Sequence, residues 1–170
     1  MWSMNMTSIA NPLRTSMLAI LCMGRLGWNM FLNPVSDNLS MAEALRQREQ
    51  SAQNLADQIE DLRNSAKGSF ELGNLNESKR FLSELIRINP KDAEALFNRG
   101  IVNERLMKNS EAMADYTDAI KADPGFHKSY VNRGILLASV GKYKEAVQDF
   151  NQALRIDPNS SETYMNLGTT

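Results

Sequence analysis

The chain has 170 residues, 42% of them hydrophobic, which suits one ordinary domain with a core. Lys and Arg total 19 against 20 Asp and Glu, so there is no basic excess of the kind that binding nucleic acid requires. One cysteine, Cys22, and one histidine, His127, exclude a disulfide framework within the chain and leave too few ligands for a Cys/His zinc site.

Residues 1–36 differ from the rest. They contain no Asp or Glu, two arginines (Arg14 and Arg25) and six of the ten methionines. The apolar run from Met17 to Met23 is too short for a membrane span, which needs about 20 residues, and Arg25 follows it closely. Residues 1–36 therefore read as a signal, transit or membrane-associating sequence, or as a disordered tail. Both readings stand.

Residues 37–58 predict a leading helix. Ser40 with Glu43 has the form of a capping box. Met41, Leu45, Ala52, Leu55, Ile59, Leu62 and Ala66 follow a spacing of three and four, interrupted by Arg48. This helix is expected to run straight on past residue 58. It serves either as a cap on the domain or, through residues 41–66, as a seam for a homo-oligomer.

From residue 59 the chain repeats. Pro90, Pro124 and Pro158 are spaced by 34, each closing a similar phrase: INP, ADP and IDP. Gly100, Gly134 and Gly168 keep the same interval, as do Ala112 and Ala146, Tyr116 and Phe150, and Ala119 and Ala153. Small residues let two helices approach, the aromatic fills the space between helix pairs, and proline ends one phrase before the next. Gly141-Lys142 reads as the turn between the two helices of one unit. The units are 59–92, 93–126 and 127–160, with a partial fourth at 161–170.

This pattern resembles the tetratricopeptide repeat (TPR). The third unit fits best, with Tyr130, Gly134, Leu137, Ala146, Phe150, Ala153 and Pro158. The second departs at Asn103, where a large apolar residue is usual. The first is weakest, with Ala66, Ser78, Leu82 and Leu85 at the marked positions. The resemblance implies an all-α solenoid of helix–turn–helix repeats over 59–170, whose first helices line a concave face.

The resemblance places Asn64, Asn98, Asn132 and Asn166, which share the same interval, on that face. A primary amide offers one acceptor oxygen and two donor hydrogens, so it can pair with the C=O and the N–H of an extended peptide. Phe97, Ile101, Val131 and Ile135 are expected to add apolar surface, and Met165 with them. Lys67 and Lys128 are expected to add charge. A carboxylate clamp of the kind that some members use for acidic chaperone tails would fall on Arg63, Lys67, Asn98, Lys128 and Asn132. Lys67 stands where Asn is usual there, and Asn132 where a cation is. Arg99 and Arg133 read as structural, with stems packed between repeats and guanidinium groups on carboxylates.

No P-loop or H-E-x-x-H motif occurs, and His127 has no catalytic company. The expectation is a non-catalytic scaffold, without metal or cofactor, that holds an extended segment of a protein partner. The alternative is a membrane-associated assembly factor or co-chaperone-like adaptor using the same groove.

Overall fold

A computed structural model describes residues 34–170, with side chains from residue 40 onward. The readings placed on residues 1–33 lie outside it. Seven α-helices and no strand are found among the described residues: α1 (Pro34–Glu71), α2 (Leu75–Ile88), α3 (Ala93–Arg105), α4 (Asn109–Ala122), α5 (His127–Ser139), α6 (Tyr143–Ile156) and α7 (Ser161–Thr169). None is long and apolar enough to cross a membrane.

α1 is described from Pro34, a residue tolerated in the first turn of a helix. Ser40 therefore sits inside the helix and is not its cap. The helix continues without a break past residue 58 to Glu71. Two compact units are distinguished, one ending at Asn54 and the other spanning Leu55–Thr170. Within the first, residues 40–54 are exposed apart from half-buried Ala42, and Met41 and Leu45 are 65% and 50% exposed. Leu55, in the second unit, is 45% exposed. Further along, Ile59, Leu62 and Ala66 pack against Leu82 and Leu85 of α2. The proposed oligomer seam over 41–66 is thus narrowed, because its last turns are already spent on the core of this chain.

The unit Leu55–Thr170 is built as the repeat interval dictates. Each proline is preceded by an extended residue: Asn89 at φ −130°, Asp123 at φ −138° and Asp157 at φ −124°. Proline disfavours helix at the position before it, which stops α2, α4 and α6 there. The same three side chains then accept a bond from the backbone N–H two residues on, at Lys91, Gly125 and Asn159. One turn chemistry closes every repeat.

Inside each of the two later repeats, a glycine lets an aromatic ring lie on the backbone. A Cβ on Gly134 would fall 2.7 Å from Cε1 of Phe150, and one on Gly100 would collide with the ring of Tyr116. Tyr116 and Phe150 are consequently 0% and 1% exposed. The core forms three clusters: around Ala66, Leu82, Leu85 and Val102; around Leu96, Phe97, Tyr116 and Leu136; and around Tyr130, Val131, Phe150 and Ala153.

Candidate functional site

The C-terminal part of α1 lies with α2 and α3 around a pocket of about 290 Å³. Its walls carry Asn64 and Asn98 together with Arg63, Lys67, Glu94 and Ile101, over a floor of Leu82, Leu85 and Val102. Four of the residues expected from sequence, Asn64, Asn98, Lys67 and Ile101, therefore share one site. Lys128, Asn132, Ile135 and Asn166 are not part of this pocket. They belong to α5 and α7, the first helices of the later repeats.

The four asparagines have different surroundings. Asn64 is exposed and donates from Nδ2 to Glu60 at 3.3 Å. Asn98 is half-buried, and its side chain makes no hydrogen bond among the described residues. Asn132 is half-buried and donates from Nδ2 to the Tyr116 hydroxyl at 3.3 Å. That hydroxyl in turn donates to Glu104. Burial, reinforced by Glu104, pushes the Tyr116 hydroxyl well above the ordinary tyrosine value, so it keeps its proton. Asn166, in α7, is half-buried.

Two apolar residues assigned to the groove belong to the core. Phe97 is 9% exposed and meets Tyr116 and Phe126 at ring-centroid distances of 5.7 and 5.2 Å. Val131 is 5% exposed and packs in the cluster around Phe150. Each follows a buried residue of its helix (Leu96, Tyr130) and lies on the side that meets the second helix of a repeat. Ile101 is half-buried, and Ile135 is 37% exposed.

The charges also sort differently from the sequence reading. Arg63 is held by Asp92 at 2.6 Å and by Glu94 at 2.9 Å, so the cation at the head of the groove already has two carboxylates. Asp92 simultaneously caps α3 by accepting from the Ala95 N–H at 2.9 Å. Lys67 and Lys128 are exposed and form no ion pair among the described residues. Nor does any group of acidic, Cys or His side chains among those residues come together to hold a metal ion.

Arg99 and Arg133 act as struts. Arg99 grips Asp115, with Nη2 at 2.6 Å from Oδ1, and reaches Ser83 at 3.4 Å. Arg133 grips Asp149 through Nε and Nη2 at 2.7 and 2.8 Å and reaches Thr117 at 3.2 Å. The Asp149 hydrogen bond holds the Arg133 guanidinium above its usual value. The arginines stood out in the sequence, whereas their partners did not. Yet Asp115 and Asp149, like Ser83 and Thr117, keep the interval that separates the prolines, and that interval was the signal to follow.

Comparison with known proteins agrees with this architecture. The tetratricopeptide repeat profile matches residues 127–160, and a second profile of the same description matches residues 64–125. No curated protein matches the chain. Among solved structures, the TPR domain of Arabidopsis OM64 is 26% identical, with a TM-score of 0.63 over 66% of this chain and 93% of that one. The second TPR domain of human RPAP3, solved in complex with the HSP70 peptide SGPTIEEVD, is 26% identical, with a TM-score of 0.62 over 66% and 93%. The TPR2B domain of yeast Sti1, in a pHsp70 complex, is 25% identical, with a TM-score of 0.59 over 66% and 97%.

Proposed function

Because this chain belongs to the tetratricopeptide repeat family, we propose that it is a non-catalytic scaffold that binds an extended segment of a partner protein along its asparagine-bearing helices. The observation that carries this reading is the pocket between α1, α2 and α3, where Asn64 and Asn98 stand over an apolar floor. The asparagines pair with the peptide backbone, and Ile101 and the floor take its apolar side chains. A solved structure of the same fold that holds a peptide, the second TPR domain of human RPAP3, supports the reading. The test is selection of a phage-displayed random dodecapeptide library on the full chain. Peptides so enriched should bind Asn98→Ala/Asn132→Ala roughly tenfold more weakly, about 1.4 kcal/mol, with its helicity retained. Equal affinity for both proteins would refute the asparagine ladder.

A second reading, the co-chaperone-like adaptor, is favoured by one observation: Lys67 and Lys128 are cations without an acidic partner among the described residues. On that reading the groove takes an acidic tail. The engagement of Arg63 by Asp92 and Glu94 weighs against it, since a tail carboxylate would have to displace both. Titration with SGPTIEEVD separates the two readings. The adaptor binds it and loses it on Lys67→Glu, whereas the backbone binder is indifferent to that substitution.

A further inference from the structure

The four asparagines recur as if equivalent, but the residue 16 positions before each later one changes. It is Leu82 before Asn98, Tyr116 before Asn132 and Phe150 before Asn166. Only Tyr116 carries a hydroxyl. Glu104 beside it, as a carboxylate, can only accept a hydrogen bond. The Tyr116 proton is therefore committed to Glu104, and the oxygen of Tyr116 has only a lone pair left for Asn132. The group of Asn132 facing that lone pair must be its NH2. Its Oδ1 is then the end without a partner among the described residues. Two buried side-chain atoms lack a partner among the described residues, Asn103 Oδ1 and Ser129 Oγ; Asn132 Oδ1 is not one of them, so it is not fully buried.

We propose that Tyr116 and Glu104 are positioning residues that lock the Asn132 amide with its carbonyl outward, so that this rung accepts a hydrogen bond from a peptide N–H and rejects a residue lacking one. The proposal rests on the peptide-binding reading above and gives the groove a polarity. Asn98, with no hydroxyl opposite it, turns to suit the C=O or the N–H of the ligand, while Asn132 does not. Asn64 leans the same way as Asn132, because its Nδ2 is given to the Glu60 carboxylate, though its exposure makes that bond a weak lock. The ligand is thus an extended segment with a free backbone N–H at the position opposite Asn132. Proline, which has none, is excluded at that one place.

The probe is again the phage-displayed dodecapeptide library, selected in parallel on the full chain and on Tyr116→Phe, Glu104→Gln and Asn132→Ala. Phenylalanine already occupies the matching slot at Phe150, so Tyr116→Phe keeps the ring packing. Glu104→Gln keeps the tyrosine but lets its hydroxyl accept as well as donate. Peptides enriched by the unaltered chain should be depleted in proline at one fixed position, roughly fivefold. That depletion should vanish on Asn132→Ala and relax on both Tyr116→Phe and Glu104→Gln. Tyr116→Phe should weaken binding of those peptides about fivefold, and should have no effect when Asn132 is already alanine. If Asn132→Ala changes the selected peptides while Tyr116→Phe and Glu104→Gln leave the proline profile intact, the lock is wrong and the ladder stands. If Asn132→Ala changes nothing, the peptide-binding reading fails at this rung and the lock falls with it.

Discussion

Asn103 donates from Nδ2 to Asp115 at 2.7 Å, while its own Oδ1 lies buried without a partner among the described residues. The position equivalent to Asn103 in the next repeat is Leu137, and there Arg133 is the one side chain among the described residues that holds Asp149. The second arrangement shows that the arginine suffices for the carboxylate. Asn103→Leu should therefore stabilise the chain by about 1 kcal/mol, because it removes an unpaired buried acceptor and fills the space with apolar atoms. Urea unfolding measures this. A loss of stability would mean that the bond to Asp115 outweighs the orphaned oxygen.

Turn geometry gives a second expectation. The residues that close the helix pairs are Gly73 at φ +78°, Met107 at φ +60° and Gly141 at φ +78°, again at the repeat interval. Met107 thus holds a left-handed conformation in which a side chain is strained by about 1–2 kcal/mol. Met107→Gly should gain roughly 0.5–1 kcal/mol after the extra freedom of glycine in the unfolded chain is counted. Gly141→Ala should lose stability by a similar amount. Paired thermal melts of the two variants check the sign of each.

The packing glycines separate in the same way. Gly100→Ala and Gly134→Ala drive a Cβ into an aromatic ring and should each cost about 1–3 kcal/mol. Gly168→Ala, at the same interval, meets nothing within 4 Å and should be neutral or slightly stabilising. Denaturant midpoints for the three single variants test whether the interval or the contact decides the cost.

Alkaline pH should destabilise the fold through Tyr116. Its hydroxyl is raised above the ordinary value of 10.0 by burial and by Glu104. Below pH 10 both states keep the proton and the contribution is whole. Above it the unfolded chain releases a proton that the folded chain retains, so stability falls as pH rises. Tyr116→Phe should flatten this part of the stability profile between pH 9 and 11. An unchanged slope would show that lysines carry the alkaline transition.

Much of the fold was legible because it is periodic. Pro90, Pro124 and Pro158 mark where α2, α4 and α6 stop, and Gly100 and Gly134 mark where a ring meets backbone. The interval could not say whether a position is packed. Gly168 keeps the spacing without the contact, and Phe97 and Val131 sit beside groove positions yet face inward. Single-helix rules also misplaced the start of α1, since the Ser40–Glu43 signature carries no information about whether the helix has already begun. The interval of the asparagines could be read from the sequence, but the bond from Asn132 to Tyr116 could not. Tyr116 and Glu104 are brought to Asn132 only by stacking of consecutive repeats.

The three buried clusters are joined in series. Ile86 of α2 packs against both the first and the second, and α4 supplies Tyr116 and Ala119 to the second and Ile120 to the third. The first joint is made by one side chain with a foot in both clusters, the second by neighbouring side chains of one helix. Damage should therefore propagate like a break in a chain of links, reaching the immediate neighbour first and fading beyond it. Such wiring lets one repeat be rebuilt, duplicated or exchanged for another while the remaining links keep their shape.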